Sequence, residues 1–68
     1  MKNEFKDNLK YLRQEKGIGQ ITLAEKLDVS KSIISMWENG LREPTMSSLI
    51  SIAKYFDVSI DYLVGLEK

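Results

Sequence analysis

Sixty-eight residues, 43% apolar and 29% charged, suit one small soluble globule with a limited core, so modest stability is expected unless it dimerises. The chain has no cysteine and no histidine, which removes disulfides, thiolate chemistry, the common zinc sites and the usual nucleophile–base pairs. Its formal net charge is zero, which counts mildly against a nucleic-acid binder.

Met1 to Asn3 read as a frayed end. Helix 1 is expected from Glu4 or Phe5 to Lys16, with Phe5, Leu9 and Leu12 inward at i, i+4 and i+7. Gly17 stops it, and Ile18 can fold back in an apolar C-cap contact. Helix 2 is expected over Gln20 to Leu27, opened by Gly19, a weak but acceptable N-cap. A three-residue turn leads to helix 3 over Lys31 to Asn39. Ser30 stands where an N-cap belongs, and Gly40 where a left-handed C-cap residue belongs. Leu23, Ala24, Leu27, Val29, Ile34 and Trp37 converge on one side if the two helices cross steeply, and Ala24 is small where they come closest.

That leaves Lys31, Ser32, Ser35, Met36 and Asn39 on one outward strip, at offsets 0, 1, 4, 5 and 8. A polar, lightly charged strip on a helix propped by another helix suits major-groove reading. A plain helical hairpin with a solvated outer face fits the periodicity equally well. Beyond it, Pro44 ends a loop and Thr45 caps helix 4, about Met46 to Phe56, with Leu49, Ile52, Ala53 and Phe56 inward. Asp57-Val58 is a short connection. Ser59 caps helix 5, about Ile60 to Val64, before Gly65, and Leu63 should be core. Ile60, Tyr62, Val64 and Leu66 either close the small core or form a two-fold dimer surface.

Charge follows this division. Residues 1–42 carry a balance of +2 and residues 43–68 a balance of −2, so the basic excess lies with the paired helices. No apolar run approaches the ~20 residues that span a bilayer, and no signal peptide is visible. A cytoplasmic chain is expected.

Gln20, Leu23-Ala24, Val29-Ser30, Ile34-Ser35, Trp37-Glu38-Asn39-Gly40 and Arg42-Glu43-Pro44 together form a specific pattern. Leu9-x-x-Leu12-Arg13 extends it upstream; Leu49-x-x-Ile52-Ala53 and Val58-Ser59-x-Asp61-Tyr62-Leu63 extend it downstream. This pattern resembles the lambda-repressor-like (Cro/repressor, or Cro/C1, type) helix-turn-helix DNA-binding family. The likeness implies an all-α, five-helix domain over residues 5–65, with the helix-turn-helix at 20–39.

It also implies roles. Arg13 would pair with Glu38, tying helix 1 to helix 3. Lys31, Ser32, Ser35 and Met36 would read bases, Lys31 at a guanine edge or merely a phosphate, and Met36 at a thymine methyl or nothing. Ile33 stands at the margin of that strip. Gln20, Ser30, Asn39 and Arg42 would position the helix on phosphates; the Gln20 amide would also brace Lys31. Ser47 and Ser48 are further phosphate neighbours. Four positions depart from the family. Gly19 replaces a hydroxyl or amide cap, Ile21 and Met36 replace polar residues, and Asp28 replaces a glycine in a turn that often needs positive φ.

The reading is a sequence-specific, double-stranded-DNA-binding transcriptional regulator, a repressor acting as a homodimer on a two-fold-symmetric operator. It is not an enzyme and uses no cofactor or metal. One rival keeps the fold but serves as a protein-interaction module, antagonist or docking domain, which zero net charge, Ile21 and Met36 would fit. A small hydrolase is remote without histidine or cysteine. The chain reads either as a whole Cro-like regulator or as the DNA-binding part of a longer repressor.

Overall fold

Left-handed backbone punctuates the chain at Gly17, Asp28, Gly40, Asp57 and Gly65. Between these residues the computed structural model, which describes residues 4–66, contains α1 (Phe5–Glu15), α2 (Gln20–Leu27), α3 (Lys31–Glu38), α4 (Met46–Phe56) and α5 (Ile60–Leu63). The frayed end expected at Met1 to Asn3 lies outside the described residues. α1, α3 and α5 each end one residue before the expected boundary, the usual scale of disagreement at a helix terminus.

One device closes every helix. The left-handed residue donates its N–H three residues back, and the next residue donates five residues back. After α2, Asp28 reaches Glu25 and Val29 reaches Ala24; after α4, Asp57 reaches Lys54 and Val58 reaches Ala53. These bonds satisfy carbonyls that a helix end otherwise leaves without partners. Ile18, Val29 and Val58, the residues that follow, then fold back on the core.

Asp28 and Asp57 thus occupy equivalent positions in two copies of Asp-Val-Ser, each serine capping the next helix. Ser30 Oγ accepts from the Ile33 N–H at 3.2 Å, and Ser59 Oγ accepts from Tyr62 at 2.9 Å. Aspartate is poorly suited to this place. It adopts φ of 57–58°, a region glycine enters freely, and puts a negative charge at the negative helix end. Asp57→Gly should therefore stabilise the fold by about 0.5–1 kcal/mol, after allowing for the freer unfolded chain. Thermal melting checks this, and an unchanged or lower melting temperature would contradict it.

Each helix contributes one completely buried aliphatic side chain to the centre: Leu9, Leu23, Ile34, Ile52 and Leu63. Burying each is worth about 1.5–3 kcal/mol. Phe5, Ala24, Trp37, Leu49 and Ala53 complete the buried apolar set, with Leu12, Leu27, Val29 and Phe56 half-buried at its margin. Phe5 meets Trp37 edge to face, ring centres 6.2 Å apart, and joins α1 to α3. Asn8 ties the short α5 to α1, its Nδ2 donating to the carbonyls of Tyr62 (2.9 Å) and Leu63 (3.2 Å).

Candidate nucleic-acid interface

The position of α3 is set by a buried carboxylate at its last residue. Glu38 Oε2 accepts from Arg13 Nε at 2.6 Å, and Oε1 accepts from Arg13 Nη2 at 2.9 Å. The remaining guanidinium nitrogen, Nη1, donates to the Ile18 carbonyl at 2.9 Å. Gln20 Nε2 donates to Glu38 Oε1 at 3.1 Å. The Arg13 and Glu38 side chains are only 12% and 3% exposed. One carboxylate therefore joins α1, the first turn of α2, and α3, while Arg13 also pins the loop at Ile18. Hydrogen bonding to Glu38 raises the Arg13 pKa above its ordinary value; burial opposes this and the carboxylate charge adds to it. An acid at a helix C-terminus is otherwise unfavourable, so the guanidinium also offsets the helix dipole.

The Gln20 amide nitrogen is held by the buried Glu38 carboxylate, a charged acceptor, which leaves the amide oxygen as an acceptor, the group a lysine donor needs. The backbone N–H groups at the start of α2 remain at a helix N-terminus, where phosphate is favoured.

Along α3 the outward strip is exposed at both ends and half-covered between them. Lys31 and Ser32 are exposed; Ile33, Ser35 and Met36 are half-buried; Asn39 is exposed. Beyond the last turn the chain folds back on the helix end. Leu41 donates its N–H to the Met36 carbonyl at 2.9 Å, and Asn39 Nδ2 donates to the Ser35 carbonyl at 2.9 Å and to Ser35 Oγ at 3.3 Å. The Asn39 amide nitrogen is thus committed to closing its own helix, whereas the Ser35 hydroxyl can still donate its proton outward. Leu41 and Arg42 stand exposed in the following loop, and Ile21 is 63% exposed at the start of α2.

Trp37 backs three clefts around α3. One is lined by Leu27, Val29, Ser47, Ser48 and Ser51, another by Val29, Ile33, Arg42, Glu43, Thr45 and Ser48, and the third by Phe5, Lys6, Gly40, Arg42 and Glu43. Their volumes of about 100, 150 and 230 Å³ fall below the ~300–1,000 Å³ typical of small-molecule sites. Among the described residues, no cluster of acids could hold a metal ion, and no helix is long and apolar enough to cross a membrane.

Sequence reasoning missed Asn8. A polar residue beside Leu9, on the inward side of an amphipathic helix, is the signal that marks a buried hydrogen bond. The partner of Gln20 carried no comparable signal, since it depends on how α3 lies against α2.

Residues 9–63 match the family model described as Helix-turn-helix. The chain is 46% identical over 65 residues to the HTH-type transcriptional activator BcrR of Enterococcus faecalis, an overlap of 96% of this chain and 32% of that protein. It is 40% identical over 60 residues to the HTH-type transcriptional regulator YqaE of Bacillus subtilis, covering 88% and 52%. The chain therefore spans about a third to a half of these relatives. Among solved structures, a transcriptional regulator from Listeria innocua superposes with a TM-score of 0.91 at 34% identity, over 100% of this chain and 64% of that one. The P22 c2 repressor in complex with a synthetic operator superposes with a TM-score of 0.86 at 28% identity, over 93% of this chain and 96% of that one.

Proposed function

Because the chain belongs to the Cro/repressor-type helix-turn-helix family, we propose that it binds double-stranded DNA sequence-specifically and regulates transcription as a repressor in the cytoplasm. The observation that carries this reading is the likeness of nearly the whole described fold to a repressor crystallised on its operator. The activity is binding, without a catalytic step or a cofactor.

Residues 5–65 act as the DNA-binding domain, and α3 enters the major groove by its N-terminal end. Lys31 donates to guanine O6 or N7, Ser32 and Ser35 donate or accept at neighbouring base edges, and Met36 packs on a thymine methyl. Gln20 offers its backbone N–H to a phosphate and Arg42 its guanidinium. Ser30 and Asn39 position the reading helix by capping its two ends. Two copies meet through Ile60, Tyr62, Val64 and Leu66 on a two-fold-symmetric operator. The first three are half-buried and Leu66 is exposed, so part of this apolar surface is free to be covered.

A protein-interaction module of the same fold is the second reading, favoured by zero net charge and by exposed Ile21. Two variants separate them. Lys31→Ala should lose about 1–3 kcal/mol at the site it reads and relax base preference there, whereas Arg42→Ala should weaken binding alike on every sequence. Affinities of both variants for a specific and a scrambled duplex provide the check. If neither affinity moved in either variant, the groove assignment would be wrong.

A further inference from the structure

Lys6 is the second residue of α1, remote in sequence from the helix-turn-helix. Its stem nevertheless crosses Gly40, the left-handed residue that closes α3. A Cβ placed on Gly40 would stand 2.9 Å from Lys6 Cδ and 3.5 Å from Cε, so the lysine stem lies where a larger residue would intrude. Beside this crossing the cleft of about 230 Å³ is lined by Phe5, Lys6, Trp37, Gly40, Arg42 and Glu43. Two cations from distant parts of the chain thus border one opening, and the edge-to-face rings of Phe5 and Trp37 line it. Apolar walls lower the local dielectric and strengthen the attraction of those cations for an anion.

The other charges fit this use. Lys6 Nζ lies 3.5 Å from Asp7 Oδ1, but both side chains are exposed, and such pairs contribute only ~0–1 kcal/mol. The lysine can leave Asp7 for a phosphate at little loss. Glu43 also lines the cleft and opposes an anion, leaving an excess of one positive charge among the lining residues. Lysine supplies a mobile point charge and arginine a planar fork, a combination suited to a phosphodiester passing over the rim.

We propose that Lys6 and Arg42 hold one phosphodiester of the DNA backbone between them across Gly40, extending the DNA contact from the helix-turn-helix to α1. This clamp presupposes the DNA-binding function argued above. It makes Lys6 a phosphate-binding residue, with no part in choosing the base sequence.

The test uses the full chain and a duplex that it binds, titrated over a series of salt concentrations. Lys6→Ala, Arg42→Ala and, as a control, Lys54→Ala are compared with the parent, and phosphate-ethylation interference maps the contacted phosphates. Lys6→Ala should lower the slope of log K against log salt by about one unit, weaken all sequences alike and leave the melting temperature unchanged. Lys54→Ala should leave the slope unchanged. The same phosphate should drop out of the interference pattern in Lys6→Ala and in Arg42→Ala. A parental slope in Lys6→Ala, or the loss of a different phosphate, would overturn the clamp while leaving the DNA-binding reading intact. A parent chain that bound no duplex would instead overturn that reading, and the clamp with it.

Discussion

Glu38→Ala should lower the melting temperature more than any surface substitution. The change leaves the Arg13 guanidinium, 12% exposed, without its bidentate partner, and removing one member of a buried ion pair costs about 3–5 kcal/mol. The Gln20 amide loses its acceptor at the same time. At roughly 4–8 °C per kcal/mol for a domain of this size, melting should fall by at least about 12 °C. Glu38→Gln keeps the shape and one acceptor oxygen but presents an amide nitrogen to a cation, so it should fall between parent and alanine. Thermal unfolding followed by circular dichroism reads all three. An unchanged melting temperature in Glu38→Ala would mean that the network does not hold α3.

Trp37→Ala should have an effect of the same order, about 3–5 kcal/mol, because a nearly buried indole leaves a cavity its neighbours cannot fill. Here the cavity would open beneath α3. Trp37 meets Phe5 edge to face and backs all three clefts beside α3. Trp37→Phe retains an aromatic ring and should lose clearly less. Melting temperatures rank the two variants, and equal losses would contradict the packing role. DNA affinity measured below both melting temperatures adds a second check. Both variants should weaken specific and non-specific duplexes in parallel, since the lost quantity is the position of α3 and not a base contact.

Much of the fold was legible because the helix ends are written locally. Gly17, Gly40 and Gly65, with Ser30, Thr45 and Ser59, mark stops and starts within a few residues of the bonds they make. The family pattern alone marks Asp28 as a left-handed turn residue, and nothing in that pattern marks its counterpart Asp57, which is left-handed too. Yet the two stand in the same Asp-Val-Ser run, so the repeat was the available signal.

The site was less legible. Arg13 and Glu38 lie 25 residues apart, and no periodicity pairs them; the resemblance to the family supplied that expectation. The partner of Gln20 and the crossing of Lys6 over Gly40 arise only when α1, α2 and α3 are packed. Helical periodicity places Met36 on the outward strip but does not say how far it is covered, and in the fold it is half-buried. Base preference depends on hydrogen-bonding groups the DNA contributes, so Lys31, Ser32 and Ser35 do not specify an operator by themselves.

Selection from a random duplex library, followed by binding of the enriched sequence across a salt series, tests the central claim most directly. DNA reading by a dimer should enrich a two-fold-symmetric site with half-sites about 10 base pairs apart, bound with a salt slope of several units. No enrichment, with negligible binding even at low salt, would contradict it and favour a protein partner for the same fold.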